Sequence, residues 1–139
     1  MEDLVESVTR GNPGSVKAVL ASVVLALAVY QLLLAAIGYR KLPVLRPEPA
    51  FFTHRASGDA IAVLVALVAL ACVALYGFED DYVVHAAAGV GAAAVLTIKV
   101  AVVRSGVGGR ALPYLGLTLF ALLAVAWATV TPEFLAGED

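Results

Sequence analysis

Charge is what this chain has least of. Asp, Glu, Lys and Arg together make up 14% of its 139 residues, against about 25% in an ordinary soluble domain. A soluble fold of this length must cover its surface with polar groups. Here there are too few, which argues against a soluble enzyme. With a net charge of −2, the chain carries no basic field to hold nucleic acid. A single cysteine, Cys72, leaves no intrachain disulfide framework, no CxxC metal motif and no CxxCH haem-attachment motif. Basic residues are also missing from the extreme N-terminus, where Glu2, Asp3 and Glu6 stand in place of a signal peptide's basic region. The first apolar run is therefore expected to be retained.

What the chain has instead is apolar length: 62% of it is hydrophobic. Four runs stand out, over 18–38, 59–77, 83–103 and 111–130. Each supplies about the 20 residues a helix needs to cross a hydrocarbon core about 30 Å thick. The runs are continuous rather than alternating, which excludes a membrane β-barrel. The expected fold is all-α: one integral membrane domain over 1–139, a four-helix bundle running up-down-up-down. Breaks support these limits. Asn12-Pro13-Gly14-Ser15 looks like a turn and cap before the first span, and Pro43, Pro47 and Pro49 make the 38–58 connection irregular. Gly77 to Asp81 looks like a tight acidic hairpin, Gly106, Gly108 and Gly109 form the third loop, and Pro132 closes the fourth span.

Sorted by side, the few charges give an orientation. Arg40, Lys41, Arg46, Arg55, Lys99, Arg104 and Arg110 belong to the two connections on one side, while only Arg10 and Lys17 lie on the other. The positive-inside rule then puts loops 39–58 and 104–111 in the cytoplasm and both termini outside.

Ionisable residues within or near spans are the default place to look for function. Lys99 follows His85 by fourteen residues, about four helical turns. The stripe His85, Gly89, Ala92, Leu96, Lys99 therefore shares one face, and its small residues suit close packing against a helix or a flat ligand. A matching stripe runs His54, Gly58, Ile61, Val65, Val68, Cys72. Other readings remain open. Lys99 can snorkel to the interface, Thr53 or Ser57 can cap the second helix, Arg55 can sit among lipid phosphates, and His85 can be a hydrogen-bonded interfacial histidine. Tyr and Trp at the outer side read more readily as an aromatic belt than as a site.

Two histidines on neighbouring spans invite a bis-histidine haem b. Folding spans two and three as a hairpin brings position 85 level with about 74, however, and His54 lies twenty residues farther along, roughly 30 Å away. The two belong to opposite faces, so a haem at either needs another axial ligand. A zinc or copper site fails because too few ligands meet. One side gathers Gln31, His54, Arg55, Ser57, Lys99, Arg104, Tyr114 and Thr118, a set suited to haem propionates or a quinone carbonyl. The other gathers Cys72, Tyr76, Tyr82, His85, Trp127 and Thr129.

The segment His54-Arg55-Ala56-Ser57-Gly58 resembles the HRxSG signature at the start of a span in the cytochrome b membrane anchor of succinate dehydrogenase, where it lies near the quinone and haem-propionate site. By that resemblance the arginine maps to Arg55, while the quinone-binding serine maps to Phe51. Over residues 50–130 the chain also resembles a domain-of-unknown-function family of small four-helix prokaryotic membrane proteins. The shared features are HRxSG, Val84-His85 with Gly89, Lys99 with Arg104, and Leu112-Pro113. It departs from that pattern at the second-span histidine, where Ala71-Cys72 stands. Cytochrome b561-like proteins are the nearest functional analogy.

The expectation is a small, non-catalytic, cytochrome-b-like subunit of a prokaryotic cell membrane. Its cofactor contacts would be His54, Arg55, Ser57, His85 and Lys99, with His54 or His85 on the iron of haem b. The alternative is a cofactor-free structural or assembly subunit. Expected partners are the bilayer and either other membrane subunits or a second copy of the chain.

Overall fold

The computed structural model describes residues 13–77 and 82–136. It contains four long helices: α1 Pro13–Gly38, α2 Pro47–Tyr76, α3 Val83–Ser105 and α4 Leu112–Ala136, the last preceded by a 3-10 turn at Gly109–Ala111. All four are long and apolar enough to cross a membrane. No strand occurs among the described residues. The fold is therefore the expected all-α four-helix membrane bundle, and the acidic hairpin tip lies outside the described residues.

Three boundaries differ from the sequence expectation, and the first helix begins at Pro13 rather than residue 18, so that Pro13-Gly14-Ser15 is helical and not a turn before the span. The second helix begins at Pro47 rather than near residue 59. Pro47 and Pro49 read as breakers, yet both fall in the first helical turn, where a missing N–H costs nothing. Arg46, at φ −66° and ψ 139°, has the extended backbone that precedes a proline. Thr53 and Ser57 are thus inside the helix and cap nothing. Pro132 does not close the fourth helix either, which continues to Ala136. In an apolar medium the rest of the backbone gains more from staying helical than one lost hydrogen bond costs.

The remaining ends follow ordinary capping chemistry. After α1, Arg40 takes φ +57°, its N–H bonds Ile37 O, and Lys41 N–H bonds Ala36 O. This is a Schellman closure with an arginine where glycine is usual. After α3, Gly106 supplies the left-handed residue at φ +69°.

Packing is uneven. Helix α1 packs on α2 and α4, and α4 packs on α3, but the consecutive helices α2 and α3 barely touch. The order around the bundle is α2–α1–α4–α3. The core is thin, centred on Val24, Ile61 and Val65 with Leu96 and Leu123 against it. Many large apolar side chains, such as Leu33, Leu67, Leu70 and Ile98, face outward. That is the exterior expected where the surroundings are lipid rather than water.

Candidate functional site

Each well-packed helix pair carries a polar cross-link. Between α1 and α2, the buried Gln31 amide donates to the His54 carbonyl at 3.0 Å and to Ser57 Oγ. In return His54 Nδ1 lies 3.1 Å from the Gln31 carbonyl oxygen. Ser57 Oγ–H bonds back to Thr53 O at 2.6 Å, a bond one helical turn back that keeps the hydroxyl satisfied. Between α1 and α4, Trp127 Nε1–H donates to Ser22 Oγ at 2.9 Å, and Ser22 bonds Ala18 O at 2.8 Å. Between α3 and α4, His85 Nδ1 lies 2.9 Å from Ala126 O. Thr129 Oγ1 is 3.0 Å from the same carbonyl.

These contacts fix both histidine tautomers. A carbonyl oxygen can only accept, so Nδ1 of His54 and of His85 carries the proton and Nε2 carries the lone pair. Among the described residues neither Nε2 has a hydrogen-bond partner, and no buried side-chain nitrogen or oxygen is left unsatisfied. Each Nε2 is therefore open to its surroundings. A histidine whose Nδ1–H is anchored on a backbone carbonyl and whose Nε2 is free has the arrangement of a metal-ligating histidine.

His85 lines a cavity of about 510 Å³, within the roughly 300–1,000 Å³ typical of small-molecule sites. Helix α1 contributes Lys17, Ala18 and Ala21 to the wall, and α2 contributes Val68, Ala69 and Cys72. Helix α3 contributes His85, Gly89 and Ala93, and α4 contributes Ala126 and Trp127. A side chain built on Gly89 would meet nothing within 4 Å, so the floor beside His85 is open. The walls are mainly apolar.

The two histidines lie at opposite ends of the bundle. His54 is tied to Gln31, while His85 lines the cavity beside Lys17, fourteen residues earlier on α1, or about 21 Å along the helix. Ser57 joins His54 through Gln31. Lys99 is half-buried at the His54 end and makes no hydrogen bond or ion pair with any described residue. Arg55, Arg104, Tyr114 and Thr118 are exposed, and no bond among the described residues brings them into that group. At the other end Cys72, Tyr82 and Trp127 share the cavity with His85.

Sequence reasoning took the outer aromatics as a belt, but Trp127 is half-buried and bonded to Ser22 within the bundle. It also missed α1's share of the cavity. The signal available was the run of small residues Ala18, Ala21 and Ser22 on one helix side. No group of three or more His, Cys, Asp or Glu able to hold a metal occurs among the described residues.

Compared with known families, the chain matches a family of unknown function, DUF6529, over residues 5–138, and it belongs to that family. No curated protein and no solved structure matches it.

Proposed function

We propose that this DUF6529 member is a small cytochrome-b-like membrane subunit that holds haem b in the cavity at His85. The observation that carries the reading is the His85 ring. Its Nδ1–H is anchored on Ala126 O, its Nε2 has no partner among the described residues, and the residue lines a mainly apolar cavity. A haem-ligating histidine would use that tautomer, with its Nδ1–H held by a backbone carbonyl. The residues fit the group in two further ways. The small side chains of Gly89 and Ala93 let a flat face approach the helix backbone closely, and the apolar walls exclude water. When bound, haem supplies one-electron chemistry. The chain's part is to ligate through His85 Nε2, to fix the ring through Ala126 and Thr129, and to keep the site dry.

A quinone at this cavity fits less well. Nε2 of His85 can accept from a quinol hydroxyl but has no proton to donate to a quinone carbonyl. The His54–Ser57–Lys99 group and Arg55, which the HRxSG resemblance marks for cofactor contact, lie toward the other end of the bundle. Their distance from His85 leaves them no contact with a haem bound there. The orientation proposed from the charge bias puts the two basic loops in the cytoplasm and the His85 cavity toward the outer face.

The test is an oxidised and a dithionite-reduced visible spectrum of the protein purified in mild detergent. A Soret band that shifts on reduction and is lost in His85→Ala supports the reading, and a colourless protein that also fails to take up added haemin ends it. A second reading, a cofactor-free assembly subunit, is favoured by the poor contact between α2 and α3, which leaves room for a partner's helix. A colourless protein that co-purifies with other membrane subunits would favour it.

A further inference from the structure

The end of the bundle remote from the cavity carries a second set of groups, and their chemistry is independent of what His85 binds. Leu96 on α3 packs against the cluster that Val24 on α1 forms with Ile61 and Val65 on α2. Toward the loop end, the same α3 stripe presents Lys99 one turn beyond Leu96, and the same α2 stripe presents Gly58 one turn and His54 two turns beyond Ile61. His54 and Lys99 therefore lie toward the same end of the two helices that barely touch, α2 and α3, close enough for the Lys99 charge to act on the His54 ring. Lys99 brings a cation with three donors and has no anionic partner among the described residues. His54 brings an acceptor, Nε2, on a ring clamped by the Gln31 carbonyl. The two acids at this end, Glu48 and Asp59, are exposed, as are the basic residues Arg40, Lys41, Arg46, Arg55, Arg104 and Arg110.

Depth narrows the identity of the missing anion. Helix α2 has 30 residues, about 45 Å, against a hydrocarbon core of about 30 Å. His54 is seven residues from its start and so stands at the headgroup boundary. Lys99, six residues from the end of α3, reaches that level by snorkelling. The anion available there, beside a gap open to lipid, is a phospholipid phosphate.

We infer that the α2–α3 gap at the loop end holds an anionic phospholipid with a hydroxylated headgroup, its phosphate on Lys99 and a headgroup hydroxyl donating to His54 Nε2. One acyl chain then lies between α2 and α3 and supplies the packing these helices do not give each other. Phosphatidylglycerol has the required chemistry. Phosphatidylcholine has the phosphate but neither net negative charge nor a donor.

The test is native mass spectrometry of the full chain in detergent, titrated separately with phosphatidylglycerol and phosphatidylcholine. Wild type is expected to retain one phosphatidylglycerol at a concentration about tenfold below that needed for phosphatidylcholine. Lys99→Gln should abolish the difference, and Lys99→Arg should keep it, which also shows that a substituted bundle still folds. Arg110→Gln, a basic loop residue outside the gap, should leave it unchanged. Equal retention of both lipids by wild type would overturn the inference. So would a loss in Arg110→Gln as large as in Lys99→Gln, which would mean a diffuse basic surface. Displacement of the lipid by millimolar inorganic phosphate would show a free-phosphate site and would overturn the lipid assignment.

Discussion

Replacing Gln31 with leucine isolates the polar link between α1 and α2. Gln31 is 9% exposed, and its amide makes two interhelical hydrogen bonds, to His54 O and to Ser57 Oγ. Leucine is close in volume, so no large void forms. Ser57 keeps its bond to Thr53 O, and His54 keeps its bond to the residue 31 carbonyl, which any residue supplies. No group is left wholly unsatisfied, and the cost is that of the two bonds alone. Interhelical hydrogen bonds in bilayers average about 0.6 kcal/mol, and side-chain bonds in proteins contribute about 0.5–1.5 kcal/mol each. Gln31→Leu should therefore destabilise the bundle by about 1–2 kcal/mol, roughly a fivefold to thirtyfold shift in the folding equilibrium. Reversible unfolding in mixed detergent–SDS micelles reads this directly. A double-mutant cycle with Ser57→Ala should show a coupling of about 0.6 kcal/mol. A Gln31→Leu protein as stable as wild type, or strict additivity with Ser57→Ala, would refute the clamp.

Other substitutions probe the packing and the cavity. Gly38→Ala puts a Cβ 2.8 Å from the Phe51 ring, whose edge-on contact with Tyr39 has centroids 5.4 Å apart. The ring must move, so a loss of about 1 kcal/mol is expected, and it should vanish in a Phe51→Ala background under the same unfolding assay. Trp127 is the one tryptophan and lines the cavity, so haemin binding there should quench the protein's tryptophan emission, and unquenched emission at saturating haemin would count against the site. Gly89→Leu fills the open floor. It should block haem uptake while leaving stability unchanged or slightly raised, since glycine is the poorer helix former by about 1 kcal/mol. A phosphatase fusion at residue 108 should be inactive and one at the C-terminus active, and the opposite pattern would reverse the proposed orientation.

How much of this was legible in the sequence depended on what water and lipid each conceal. The spans were legible because a bilayer demands long apolar helices and little else. Helix ends were less so. Pro47, Pro49 and Pro132 punctuate helices in soluble proteins, but two fall in a first turn and the third sits where unpaired backbone has no water to turn to. The faces were legible: period 3.6 put His85, Gly89 and Ala92 on one stripe and Ile61, Val65 and Cys72 on another, and both turn inward. Helix order was not. When every side of a helix is apolar, hydrophobicity does not say which neighbour it prefers, and Trp127 reads more readily as an interfacial anchor than as the interior bond it makes. What chooses the neighbours here is polar. The three pairs that pack well are the three joined by side-chain hydrogen bonds: Gln31 for α1–α2, Trp127–Ser22 for α1–α4, and His85–Ala126 for α3–α4. No such bond joins α2 to α3 among the described residues, and that pair barely touches. Where lipid tails are as apolar as leucine, close packing and interhelical bonds decide association. The pair that lacks both is the one that opens, and both candidate sites, the cavity at His85 and the gap at Lys99, are bordered by it.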